Sequence, residues 1–174
     1  MENHPVMLYA YNVWAHKRIF THLKTFSPEI FHRELNSTFS SIAATMTHIY
    51  TTEYLWLQAL VGKEMSEAMT EAQKRKGKLE EMQADEMEKE FQALDAQFQS
   101  FFEACEDLEA TFLLNNPYAG ARETSYSEVI FHIVNHSTYH RGNISAMLHE
   151  LGEASVMTDY VYYWYSDALT EKNE

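Results

Sequence analysis

Nine histidines in 174 residues are the chemically unusual feature of this chain, and three of them, His132, His136 and His140, recur at four-residue steps in FHIVNHSTYHRG. In a helix each such step turns about 400° and rises about 6 Å, so consecutive imidazoles lie one above the next on one face. Two histidines at that spacing can share one metal ion. All three cannot easily do so, because about 12 Å of rise separates His132 from His140. On a helical wheel with His136 at the origin, Val129 and Met147 fall at about 20°, Ile133 and Leu151 at about 60° and Ile144 at about 80°. The apolar stripe therefore centres at roughly 50–60°, with His140 inside it, His136 at its edge and His132 outside, at about −40°. His136 and His140 are the expected ligand pair.

A metal needs more than two ligands, so another helix must contribute. The best candidate is His48, beside Ile49, with the small residues Thr45, Thr52 and Ala59 on its strip leaving room for an ion and a water. A lone His48 would be an ordinary core histidine more often than a ligand; two core-edge histidines at metal spacing shift that balance. Tyr9, Trp14, Trp56 and Tyr139 are candidate pocket aromatics, although core packing is the commoner role for each singly. Glu53 is a candidate general base or a supporting partner behind the ligands, but a single acid on a helix reads first as a surface charge.

Other chemistries fit less well. Ser137 stands where a zincin needs Glu after its first histidine. Glu29-x-x-His32 is the one Glu-x-x-His motif, where a ferritin-like di-iron site needs two on core helices. Cys105, the single cysteine, sits among acids that raise a thiol pKa. There is no Gly-rich phosphate loop and no G-x-S-x-G elbow.

These histidines need long elements to hold them, and five glycines and three prolines favour uninterrupted helices. Apolar spacing predicts helices over residues 5–24, 39–60, 85–109 and 126–151, the last capped by Thr124 or Ser125 and closed by Gly152. Ser27-Pro28-Glu29 reads as a cap and a short turn. Residues 63–84 are polar and weakly periodic, an exposed connection with some helical content. Asn115-Asn116-Pro117 and Gly120 mark a loop, and residues 159–167 (DYVYYWYSD) a short helix or strand. The expected fold is all-α: one domain over residues 1–174, an antiparallel four-helix bundle with a long crossover connection.

Composition excludes several classes. An apolar content of 45% rules out a disordered acidic tail, and a net charge of −13 argues against nucleic-acid binding. No apolar run approaches the roughly 20 residues of a membrane span, and MENHPVMLYAYN lacks a basic start and cleavage site. A soluble, cytoplasmic protein without nucleic-acid or membrane partners is expected.

Tyr11-Asn12-x-Trp14-Ala15, His48 and HIVNHSTYHRG, in this order, resemble the DinB-like (DNA-damage-inducible) proteins, bacterial four-helix bundles, along nearly the whole chain. The resemblance implies one divalent metal ion, nickel or zinc, held by His48, His136 and His140. Related branches of that superfamily are metal-dependent thiol S-transferases using bacillithiol, mycothiol or glutathione, or a maleylpyruvate isomerase. It thus implies a small-molecule or thiol substrate and a thiol-transferase or hydrolase type of enzyme; the alternative is a non-enzymatic, stress-induced metal- or ligand-binding protein. It also implies a homodimer. Gly142, at about −120° on the wheel, shares an outward strip with Phe131 and Asn135, where a second helix would approach closely.

Overall fold

A computed structural model describes residues 4–166. Their elements are α1 (His4–Leu23), α2 (Glu29–His32), α3 (Ile42–Leu60), α4 (Met65–Glu80), α5 (Ala84–Ala104), β1 (Thr111–Asn116), β2 (Gly120–Ser125), α6 (Tyr126–Glu150) and α7 (Tyr160–Trp164). Local chemistry sets the ends of α3 and α6, the helices that carry His48, His136 and His140. Ser41 caps α3 by accepting from the Ala44 N–H at 3.1 Å. Ser125 and Glu128 form a reciprocal capping box at the start of α6. Past α3 the chain turns at Gly62 with φ of 88°, a conformation open chiefly to glycine. Asp167, the last residue of the expected tail element, lies outside the described residues.

Four long helices form the bundle, in the cyclic order α1–α6–α3–α5. Tyr9 stacks on Phe98 with ring centroids 4.2 Å apart while Lys24 pairs with Glu88, so α1 and α5 are antiparallel. Thr45 meets Met147 and Trp56 meets His132, so α3 and α6 are antiparallel too. Because α4 runs back along α3, α5 starts again from the same end, and α3 and α5 are parallel. This is the long crossover connection. The core is apolar along the bundle axis, with Ile49, Leu57, Met87, Phe91, Phe98, Ile133 and Met147 fully or almost fully buried.

Two expectations change. The segment expected as an exposed connection contains the 16-residue α4, which buries Met65, Ala68, Ala72 and Leu79. That stripe is narrow and half alanine, too weak to stand out among the seven intervening charges and amides, yet small residues let α4 pack closely on α3. The helix expected to reach residue 109 stops at Ala104, and the expected loop is an antiparallel hairpin pairing Thr111 with Ser125 and Asn116 with Gly120. Its inward side chains are few. Phe112 stacks on Tyr126 at 5.1 Å and ties the hairpin to the first turn of α6.

Candidate metal centre

The burial gradient along α6 follows the wheel. His140 is 6% exposed, His136 half-buried and His132 exposed. Antiparallel packing brings α3 against this face at the level of His48, and the imidazoles of His48, His136 and His140 meet there. Nε2 of His136 lies 3.1 Å from Nε2 of His48 and 3.1 Å from Nε2 of His140. One candidate ligand atom from each ring lies within 4.8 Å of the other two. His132 is not in this group; its ring packs edge-on against Trp56, with centroids 4.9 Å apart.

The three rings cannot satisfy one another. An imidazole nitrogen carries either one hydrogen or one lone pair, yet Nε2 of His136 faces two partners at hydrogen-bonding distance. A shared cation resolves this. Nitrogens about 2.0–2.1 Å from one ion are about 2.9 Å apart at right-angle geometry and about 3.4 Å apart at tetrahedral geometry. The observed 3.1 Å falls between. The residues present therefore fit a divalent ion of the kind imidazoles favour.

The electrostatics also suit ligation. Burial, then the charges His140, His48 and His132 would carry, push His136 down to about 3. Burial and then His48 push His140 down to about 4, while burial and the Lys76 ammonium lower His48. All three rings are neutral at physiological pH, the form a metal needs. Nδ2 of Asn143 lies 3.2 Å from Nδ1 of His140; exchanging the two ends of that amide, which occupy nearly the same volume, would put Oδ1 there to accept the Nδ1–H and leave the Nε2 lone pair free.

Of the candidate pocket aromatics, Tyr139 meets His140 edge-on with centroids 5.0 Å apart, and Trp56 reaches the site only through His132. Tyr9 belongs to the core, and Trp14 packs on Tyr163 at the C-terminal segment. The ring that walls the site is Phe39, 4.9 Å from His48 and 5.4 Å from His140. It precedes the Ser41 cap rather than lying in the helix expected over 39–60, so its spacing carried no signal.

Glu53 is the larger correction. It is completely buried, not a surface charge. Its Oε1 accepts from Asn12 Nδ2 at 2.7 Å and from the Ser137 hydroxyl at 2.6 Å. Asn12 Oδ1 in turn accepts from the guanidinium of Arg141 at 2.6 Å, itself 1% exposed. Arg141 also donates to Thr138 at 2.6 Å and to the Tyr11 hydroxyl at 3.3 Å. A signal for this was present: Glu53 stands in the middle of the buried series Met46, Ile49, Tyr50, Leu57, Leu60, and Arg141 in Val134, Ser137, Ile144, Leu148.

A helical bundle that brings three imidazoles from two helices to one point belongs, as a class, with bundles able to hold a metal on facing helices. The chain belongs to the DinB family, whose model matches residues 1–173. It is 40% identical over 172 residues to Protein DinB of Bacillus subtilis (strain 168), a match covering 99% of each chain. No helix among the described residues is long and apolar enough to cross a membrane.

Proposed function

We propose that His48, His136 and His140 hold one divalent ion, nickel or zinc, through Nε2, and that the protein is a metal-dependent enzyme acting on a thiol. The observation that carries this reading is the convergence of three imidazoles whose candidate ligand atoms lie within 4.8 Å of one another, with Nε2 of His136 3.1 Å from each of the other two. A divalent ion there supplies Lewis acidity, lowering the pKa of a water or thiol in its open positions. Half-buried His48 and His136 and the exposed Tyr139 leave the point reachable from solvent.

Between the two chemistries, thiol transfer has the better support. Water needs a much larger pKa shift than a thiol, whose reference value is about 8.5. The carboxylate nearest along α3, Glu53, is directed to Asn12 and Ser137 rather than to the imidazoles.

The test uses protein expressed without a histidine tag. Metal content by mass spectrometry is expected at one ion per chain. Glutathione or cysteine is then supplied with chlorodinitrobenzene: sulfur bonds to the ring carbon, chloride leaves, and the thiol proton passes to solvent. Turnover that tracks metal content supports the enzyme. Stoichiometric metal without turnover supports the non-enzymatic metal-binding alternative, and a chain without metal rejects both.

A further inference from the structure

The polar cluster beside the imidazoles joins three helices. Asn12, Tyr11 and His16 come from α1, Glu53 from α3, and Ser137, Thr138 and Arg141 from α6. Asn12, His16, Glu53, Ser137 and Arg141 are each at most 2% exposed. Asn12 bridges the two charged groups, donating to Glu53 and accepting from Arg141. Nε2 of His16 lies 3.3 Å from a guanidinium nitrogen and so carries a lone pair there, which places its hydrogen on Nδ1. Tyr11 extends the chain of contacts outward, donating to the Thr158 carbonyl at 2.8 Å and so reaching the segment before α7.

Burying such a cluster is a poor route to stability alone, since apolar residues of similar volume often stabilise a core as well or better. Its placement suggests another use. Ser137 follows His136 and Arg141 follows His140, so both ligand positions of α6 adjoin a residue hydrogen-bonded to α1 or α3. Rotating α6 by about 15° at a side-chain radius of about 6 Å moves a ligand nitrogen by about 1.5 Å. Metal–ligand distances tolerate about 0.2 Å. The same rotation would break Ser137 to Glu53 and Arg141 to Asn12 together.

We propose that Glu53 and Arg141, joined through Asn12 and Ser137, are positioning residues that fix the rotation of α6 against α3 and thereby hold His136 and His140 in register with His48. This rests on the metal site proposed above. In it, Glu53 touches neither metal nor substrate; it acts through the helices that carry the ligands.

The experiment is a cobalt(II) titration of the apo protein, read by visible absorption, alongside urea unfolding of each apo form. Glu53→Leu leaves the buried Asn12 amide and Ser137 hydroxyl without their acceptor and Arg141 without its nearby carboxylate. It is therefore expected to lower the unfolding midpoint and, in the fraction that is folded, to bind cobalt about tenfold or more weakly with an altered d–d spectrum. Glu53→Gln, which retains an acceptor for Asn12 and Ser137, is expected to stay within about threefold of wild type with the same spectrum. Ser137→Ala, a small change that tests the link should Glu53→Leu not fold, is expected to weaken binding about threefold and shift the spectrum. Wild-type affinity and spectrum in Glu53→Leu, or in Ser137→Ala if Glu53→Leu is unfolded, overturn the proposal while leaving the metal site standing. Failure of the wild-type protein to bind cobalt at all overturns the metal site first, and the positioning role with it.

Discussion

Replacing Glu53 by Gln should change how stability depends on pH, in a direction the structure fixes. Burial is the main cause that raises the Glu53 carboxyl from 4.5 to about 7; hydrogen bonds from Ser137 and Asn12 oppose it. A group whose folded pKa stands above its unfolded value stabilises the fold fully below the unfolded value and loses that contribution as pH rises through the folded one. For Glu53 the window runs from 4.5 to about 7. At about 1.4 kcal/mol per pH unit, the whole effect is at most about 3 kcal/mol, of which about 2–3 kcal/mol falls between about pH 5 and pH 8. Glutamine does not titrate, so the variant should gain on wild type by that amount as pH is raised. The measurement is urea unfolding of both proteins in the presence of a chelator. With a slope of about 2 kcal/mol per M, their midpoints should move apart by about 1 M. Taking the difference cancels the histidines that lie away from Glu53; His16, 3.6 Å from its Oε1, and Asp95 are coupled to it and belong to the measured effect. A difference that stays constant across this range would mean that Glu53 ionises like an exposed acid, and the buried cluster described here would be wrong.

Three further outcomes are expected. His136→Ala and His140→Ala should abolish stoichiometric metal while His132→Ala retains it; equal loss in all three, measured by elemental analysis, would refute the ligand assignment. Metal should be half-released below about pH 5 rather than near the reference imidazole value of about 6.5, because His136 and His140 are lowered to about 3 and about 4; chelation at neutral pH should leave the helical circular dichroism intact, and unfolding there would make the metal structural. Gly142→Leu should dissociate a homodimer built on the Phe131–Gly142 strip, read by light scattering, while stabilising the protomer's helix by about 1 kcal/mol. Nothing lies within 4 Å of a Cβ at Gly142, and Phe131 is 61% exposed; an undisturbed dimer places the interface elsewhere.

What the sequence discloses about this protein divides by how many elements a property involves. The ordering of His140, His136 and His132 from buried to exposed belongs to α6 alone, so a 3.6-residue period suffices to read it. The capping of α6 by Ser125 is equally local. Whether residues 63–84 pack is not local, because two alanines and two large apolar residues become a packing stripe only opposite α3. The hairpin is similar: Phe112 finds its partner in Tyr126, on the next element.

Glu53 shows why the site was only half legible. Its position in the apolar series of α3 says that it faces inward, while its charge says that it should face water. Neither argument can win within α3, since the deciding fact is what the other helices place opposite. α1 brings Asn12 and α6 brings Ser137, which together satisfy Oε1, and Asn12 carries the contact on to Arg141. A buried acid and a buried arginine on different helices, each alone a contradiction of the apolar pattern, are joined by one amide between them, while Oε2 of Glu53 and Nε of Arg141 have no hydrogen-bond partner among the described residues. The three imidazoles pose the same problem with nitrogen in place of oxygen: three inward polar groups that contradict their stripes singly. Asn12 links Glu53 to Arg141, whereas Nε2 of His136 faces two other imidazole nitrogens with no protein group between them among the described residues, and this is the physical reason to look for a cation at that point.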